Sequence, residues 1–446
     1  MQIKRRGILG AGASVSLTGF APSISVLRAN DRIRIALVGC GGRGRGLLSI
    51  FLNFKDVECV GLCDPDAERL AATLKQVEGV GQRPLIVDKD FRRILELKEL
   101  DAVVIASTDH WHALHTILAC QAGKDVYVEK PLSPSIGEDA AMVRAARRYD
   151  RVVQAGTQYR STPHFADAVE YIKSGKLGHV AFVRAFCYLD WLAPLEPAAD
   201  SDPPATLDYD LWLGPAPMRR YNRNRVHFNF RWYWDYGSGL LGDWGVHLLD
   251  IALWGMGADA PINVVSVGGK FAYPSDARET PDTQFVLYRY PSFTLVWEHA
   301  MGKGIGPTPN RRPTGVAFYG SEGLLHVDAD GWEVFPETVG TPSPDRTRPR
   351  YYKSPGVPHQ PGLPDTTART RAHVANFLDC MRSRKRPNAD VEICQKAMLA
   401  CHLGNIAFRL GRQINWDPGK QALLGDAEAE KLVTRNYRSP WKLPVV

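Results

Sequence analysis

The residues Gly39-Cys40-Gly41-Gly42-Arg43-Gly44 fit the spacing G-x-G-x-x-G. Alone, that spacing is weak. Here Arg32 to Val38 reads as a strand before it, and Leu47 to Phe54 reads as a helix after it. In that setting each glycine has a task. Gly39 permits a tight turn, Gly41 lets a pyrophosphate approach the main chain, and Gly44 lets helix and strand pack closely. The helix N-terminus faces the phosphates, and Gly42 and Arg43 are read as cofactor residues of the same loop. A second strand, Val57 to Cys63, ends at Asp64, whose carboxylate can accept hydrogen bonds from ribose hydroxyls. A carboxylate there repels a 2′-phosphate, so NAD is expected. Arg43 can stack on adenine or pair with that phosphate, which leaves NADP open.

A second set of polar residues follows apolar strands. Ala102 to Ala106 and Val126 to Val128 read as strands, and each runs into chemistry: Ser107-Thr108-Asp109-His110-Trp111-His112 after the first, Glu129-Lys130-Pro131 after the second. In a doubly wound parallel sheet, ligands gather at these strand ends. Ser107, Asp109, His112, Glu129 and Lys130 are therefore placed beside the nicotinamide. Lys130 precedes a proline, which limits its backbone.

A third set lies on a predicted helix from Leu240 to Trp254. Leu240, Trp244, Leu248 and Ile251 make an apolar stripe. Asp243, His247 and Asp250, at i, i+4 and i+7, are expected on one face. A buried Asp–His packing pair and an Asp–His acid–base pair fit this pattern equally. Two ligands are too few for a metal site, and no metal is expected. The preceding aromatic stretch, Phe228 to Tyr236, includes Trp232 and suits either stacking on a sugar or plain core packing; Trp191 is open in the same way.

The elements that must hold these groups make an α/β chain. Helices Trp111 to Ala122 and Ser135 to Tyr149 and a strand Val152 to Ala155 continue the βα alternation. Strand-like runs follow at Val180 to Tyr188, Asn263 to Phe271, Gln284 to Tyr290, Thr294 to His299 and Gly315 to Tyr319, which predicts a mostly antiparallel sheet. Pro336 to Pro364 reads as a proline-rich irregular loop. Helices Ala368 to Met381 and Val391 to Leu410 are expected to pack back on the first half. The expected division is residues 1–30 as a signal segment, 31–155 as a Rossmann domain and 156–446 as an α+β domain. The open sheet of that last part suits pairing with another copy of the chain.

Length and charge agree. The 446 residues exceed one compact core, and 44% hydrophobic with 23% charged residues is ordinary globular composition. The formal charge is +7, but Lys4, Arg5, Arg6 and Arg28 supply four of these charges, and no acid occurs before residue 31. No nucleic-acid surface is read from it. Gly7 to Leu27 is uncharged and rich in Gly, Ser, Thr and Pro, too broken for a stable span. Arg5-Arg6 before it resembles a twin-arginine export signal, with an uncleaved anchor as a variant, so a periplasmic or cell-envelope location is expected. The eight cysteines include no C-x-x-C pair. Cys59 and Cys63 lie four apart on one strand, roughly 13 Å at strand rise, so free buried thiols are expected rather than disulfides.

The Gly39–Gly44 loop, Glu129-Lys130-Pro131 and Gly242-Asp243-Trp244-Gly245-Val246-His247 together resemble the glucose–fructose oxidoreductase / inositol dehydrogenase / rhizopine-catabolism (Gfo/Idh/MocA) family over essentially the whole chain after the signal segment. Thr108 to His112 and Gly156-Thr157-Gln158-Tyr159-Arg160-Ser161 look like exported members. The resemblance implies a Rossmann domain joined to an open-sheet domain, bound NAD or NADP, and redox chemistry on sugars or cyclitols. It implies Lys130, Asp243 and His247 as catalytic positions, adds Gln158 to the cofactor residues, and puts Tyr159, Arg160 and Trp232 with Asp243 and His247 on the substrate side. Two other functions fit the sequence: a glycosidase that oxidises, eliminates and reduces with recycled NAD, and a non-catalytic sugar- or dinucleotide-binding protein.

Overall fold

The computed structural model describes residues 32–339, 351–352 and 354–446. The expected signal segment, residues 1–30, lies outside the described residues. From residue 33 to 446 the chain forms one compact unit.

The first part alternates strands and helices: β1 (Ile33–Val38), α1 (Gly42–Leu52), β2 (Val57–Cys63), α2 (Ala67–Gly79), β3 (Ile86–Asp88), α3 (Phe91–Leu95), β4 (Ala102–Ile105), α4 (Asp109–Gln121), β5 (Asp125–Val128), α5 (Ile136–Arg148) and β6 (Val153–Ala155). The strands order as β3-β2-β1-β4-β5-β6, all parallel. Helices cover both faces, so β4 and β5 are buried along their whole length, which is why they read as unbroken apolar runs. The order reverses between β1 and β4. That is the switch point at which such sheets open a cleft.

The second part holds α6 (Pro163–Lys173), β7 (Val180–Leu189), α7 (Tyr209–Leu213), α8 (Gly239–Asp243), α9 (Gly245–Met256), β8 (Asn263–Gly269), β9 (Thr283–Arg289), β10 (Thr294–Met301), β11 (Thr314–Gly320), β12 (Gly323–Val327), β13 (Gly331–Pro336), β14 (Thr338–Val339), β15 (Tyr351–Tyr352), β16 (Val357–Pro361), α10 (Thr366–Ser383), α11 (Val391–Leu410), β17 (Ile414–Asp417), β18 (Ala422–Leu423) and α12 (Ala427–Glu430). Ten strands form one sheet in the order β16-β13-β12-β11-β7-β10-β9-β8-β17-β18. Only β7 and β10 run parallel; the other pairings are antiparallel. α9 and α11 pack on each other and on one face of this sheet. Among the described residues, no helix is long and apolar enough to cross a membrane.

Two expectations about elements are corrected. The stretch from Pro336 to Pro364 is not wholly irregular. Val357–Pro361 extends the large sheet by pairing with β13, and Thr338–Val339 pairs with Tyr351–Tyr352. Proline is tolerated in β16 because it is an edge strand. The helix expected from Leu240 to Trp254 is two helices, α8 and α9, broken at Trp244 (φ −107°, ψ −36°). Gly239, Gly242 and Gly245 weaken the helix there, and Asp243 bends out to a distant partner.

Late helices return to the first sheet, as expected. Phe377 of α10 meets Phe51 of α1 and Tyr127 of β5 edge-on, with ring centroids 6.2 and 5.8 Å apart. His373 of α10 donates from Nε2 to the main-chain oxygen of Ala155 (2.8 Å) and accepts at Nδ1 from the Ser161 hydroxyl (2.7 Å). All eight cysteines are buried and free.

Candidate active site

The site begins at the glycine loop. Gly39 has φ +98°, and a Cβ there would stand 2.4 Å from the main chain of Ala106. A Cβ on Gly44 would lie 1.9 Å from the Gly39 oxygen, so β1 and α1 approach as closely as the spacing implied. A Cβ on Gly42 would meet nothing within 4 Å. The helix starts at Gly42, earlier than expected, and carries Arg43 and Gly44 in its first turn. Its free N–H groups and positive dipole end face the opening.

From this loop a cleft of about 570 Å³ runs along the carboxyl ends of the strands. Gly39, Gly41, Gly42, Arg43, Asp64, Ser107, Asp109, His112, Glu129, Lys130, Gln158 and Asp243 all line it, so these sequence-derived residues come together. The other wall comes from the second part through Trp191, Leu211, Trp212, His227, Phe228, Phe230, Arg231 and Trp244. That wall is tied to the end of β2: Ala67 and Asp208 donate main-chain bonds to Thr206 and Pro65 (both 2.9 Å), and His227 Nε2 lies 2.8 Å from Asp66 Oδ2.

Asp64 accepts from the main-chain N–H of Cys40 (2.6 Å) and of Asp66 (2.9 Å). It fastens the glycine loop and presents its carboxylate to the cleft, with its pKa raised by burial against those two donors. Arg43 Nε and Nη2 donate to Glu129 Oε1 at 2.9 and 2.7 Å, a buried carboxylate two strands away at the end of β5. Arg43 is held there while still lining the cleft.

At the far end, Lys130 Nζ donates to the main-chain oxygen of Asp243 (2.6 Å) and to its Oδ1 (2.8 Å). Arg231 Nε approaches the same Oδ1 at 3.4 Å. The Asp243 carboxyl is buried, which raises its pKa, but Lys130 and Arg231 outweigh that and hold it well below the ordinary range. His112 spans the two strand-end segments, with Nδ1 2.8 Å from the Pro131 oxygen and Nε2 3.0 Å from the Ser107 oxygen. Burial lowers its pKa against those two carbonyls. Asp109 is 4% exposed, and its Oδ2 has no partner. Burial raises its carboxyl well above the usual value, against the pull of Arg231 and Lys130.

Other expected residues are placed differently. Asp243 leaves the face that His247 and Asp250 share within α9, because the break at Trp244 changes the helical phase. Asp243 pairs with Lys130, and Asp250 receives a two-pronged bond from Arg160 (2.7 and 2.8 Å). Arg160, also stacked on Trp254 at 4.6 Å, is spent on packing and does not line the cleft. Trp232 is buried under Arg278, the core alternative of its two readings. Tyr159 is buried between Phe165 and His247. His247 is 6% exposed and stands behind the lining; its Nδ1 has no partner, and Asp243 does not hydrogen-bond it. Burial and Lys130 lower its pKa well below the ordinary value, so it is neutral. Among the described residues, no three His, Cys, Asp or Glu gather as a metal site. Among the cleft residues that sequence reasoning missed are Arg69, Lys89, Asp90, Leu211, Trp212 and His227. Arg69 alone had a signal, five residues past Asp64 in the helix that begins there.

The loop, the open first turn of α1, Asp64 and the long cleft fit a dinucleotide. Residues 33–157 match the model described as "Oxidoreductase family, NAD-binding Rossmann fold" of the Gfo/Idh/MocA family, and residues 185–275 and 356–443 match that family's C-terminal alpha/beta domain. The chain belongs to the Gfo/Idh/MocA oxidoreductases, and its cofactor is NAD. It is 30% identical over 176 residues to levoglucosan dehydrogenase of Pseudarthrobacter phenanthrenivorans (40% of this chain, 38% of that one). It is 33% identical over 133 residues to a glycosyl hydrolase family 109 protein of Stenotrophomonas maltophilia (28% and 29%). These matches span well under half of either relative's length. In structure it is similar to aldose-aldose oxidoreductase from Caulobacter crescentus, with TM-score 0.63 and 18% identity over 86% of this chain and 99% of that one. That likeness shows the fold.

Proposed function

We propose that this chain is an NAD-dependent dehydrogenase that oxidises a secondary hydroxyl of a sugar or cyclitol. The observation that carries the reading is the Lys130–Asp243 contact, set in the same cleft as the glycine loop. Bound NAD supplies the hydride acceptor. The chain supplies the rest. Two of the three Lys130 protons are held by Asp243, and the third is free to donate to the substrate oxygen and to stabilise charge as it develops there. Asp243, held ionised by Lys130 and Arg231, keeps that ammonium in place. The hydroxyl proton passes through one water to the neutral imidazole of His247, which stands behind the cleft lining. Phe228, 56% exposed, and Trp191, 59% exposed, offer rings to the C–H face of the substrate.

The test is a screen of sugars and cyclitols with NAD, read at the absorbance band of reduced nicotinamide. Turnover that Lys130→Met removes while NAD still binds supports the reading. A chain that binds NAD and turns over nothing in the screen is the binding-protein alternative. A second reading has its own support in the match to the family 109 glycosyl hydrolase protein. Release of a chromogenic aglycone without added NAD would favour that route.

Export and assembly belong to the same proposal. Arg5-Arg6 ahead of an uncharged stretch supports twin-arginine export to the cell envelope, and eight buried free thiols suit folding before export. Replacing both arginines by Lys should keep the protein in the cytoplasm. Val267, Phe285 and Leu287 lie exposed on the open face of the large sheet, which supports homo-oligomer formation there. Mass measurement in solution tests it.

A further inference from the structure

Arg231 lines the Lys130 end of the cleft from the second part of the chain. A tight turn fixes its main chain: a Cβ on Gly237 would stand 2.6 Å from the Arg231 Cα. Its guanidinium lies over the Phe228 ring at 4.3 Å and near Phe230 at 5.0 Å, and Nη1 donates to the Phe228 main-chain oxygen. Nε approaches Asp243 Oδ1 at 3.4 Å. The side chain is therefore held in place, yet Nη2 makes no hydrogen bond or ion pair among the described residues. One end of the fork is left open.

The charges around it do not balance. Lys130 and Arg231 share a single carboxylate, Asp243, at 2.8 and 3.4 Å. Glu129 is committed to Arg43. The remaining acid at this end, Asp109, is 4% exposed and driven toward its neutral form by burial. His247 is held neutral. Two cations thus face one anion, and the surplus positive charge sits in a partly buried place, where an unmatched charge is costly.

We propose that the substrate is an acidic sugar or cyclitol, whose carboxylate is taken by Arg231 while Lys130 holds the hydroxyl being oxidised. This rests on the dehydrogenase reading and names the class of its substrate. A planar guanidinium gives a carboxylate two parallel N–H donors. One negative charge matches the surplus, whereas a phosphate ester, at about −1.5 to −2, exceeds it. Asp243 Oδ1 lies between the two cations, so the acid group and the reacting hydroxyl are held within the breadth of one sugar ring.

Steady-state kinetics on matched pairs test the assignment: glucuronate with glucose, galacturonate with galactose, and glucose 6-phosphate as the more highly charged analogue, all at saturating NAD. Wild type should prefer the uronate of a pair by about ten- to a hundredfold in kcat/KM, the usual size for a hydrogen bond to a charged group. Arg231→Gln should erase that preference, chiefly through KM, and Arg231→Lys should keep part of it. The preference is a ratio taken within each protein, so a loss shared by both substrates through Asp243 cancels. Added salt should raise KM for the uronate and leave that for the neutral sugar unchanged. Preference for the neutral sugar or for the phosphate overturns the assignment, as does a ratio that Arg231→Gln leaves unchanged. So does a loss of ADP-ribose binding in that variant, which would put the guanidinium on the cofactor. Oxidation of neutral sugars alone sinks this assignment and leaves the dehydrogenase reading standing; turnover of neither class sinks both.

Discussion

Lys130 Nζ meets Asp243 twice, at the main-chain oxygen (2.6 Å) and at Oδ1 (2.8 Å), across 113 residues of chain. The double contact fixes the ammonium at the mouth of β5 and leaves one N–H for the cleft. Lys130→Met should lower turnover by about 10²–10⁴, the usual size for a group that stabilises charge or moves a proton. It also strands the Asp243 carboxylate with Arg231 alone, which should cost about 3 kcal/mol of stability. Asp243→Asn keeps the main-chain contact, so it should lose less stability than Lys130→Met. Steady-state rates and denaturant midpoints read the two effects separately.

His247 should behave differently. His247→Ala should lower turnover by about 10²–10⁴ and leave the Kd for NAD unchanged. Its imidazole is already neutral because burial and Lys130 push its pKa down. The oxidation rate should therefore show no rise from this residue between about pH 6 and 8, where an unperturbed histidine would give one. Full activity in the variant would make His247 a packing partner of Tyr159.

Asp64 carries two jobs, and its variants should show both. Asp64→Ala should weaken NAD binding and reduce the preference over NADP. It also leaves the Cys40 and Asp66 N–H groups without their acceptor, at about 1–3 kcal/mol for a buried unpaired donor. Wild-type protein that binds NADP more tightly than NAD would contradict this role.

Buried histidines set the pH response of stability. Burial pushes His299 and His373 down to about 4 and His110 to about 3. Each is neutral in the fold but takes a proton in the unfolded chain below about 6.5. A depressed histidine therefore leaves stability intact above about pH 6.5 and erodes it as the pH falls toward its folded value. The melting temperature should fall between about pH 7 and 5, and His373→Gln, by removing one such proton, should flatten that slope.

Much of the fold was legible in the chain. β2 and the bounds of α11 were read to the residue, and Gly39 and Gly44 had the roles their spacing implied. Such features depend on local rules: strand ends, helix starts and glycine conformations are fixed by neighbours in sequence. Lys130 was placed the same way, because the end of a parallel strand is a known location in the sheet.

The tertiary structure decided the partners. The sequence offered His247 to Asp243 by helical phase, and the break at Trp244 gave it Lys130 instead. It offered Arg43 to adenine, and the fold ties it to Glu129, 86 residues away. Arg160 and Trp232 carried the right chemistry for a sugar but were drawn into packing, while Arg69, which had drawn no notice, stands over Gly41. A charged side chain in a low-dielectric interior goes to whatever counter-charge the fold brings within reach, and that is set by packing between elements far apart in the chain. Spacing along the chain holds no record of it.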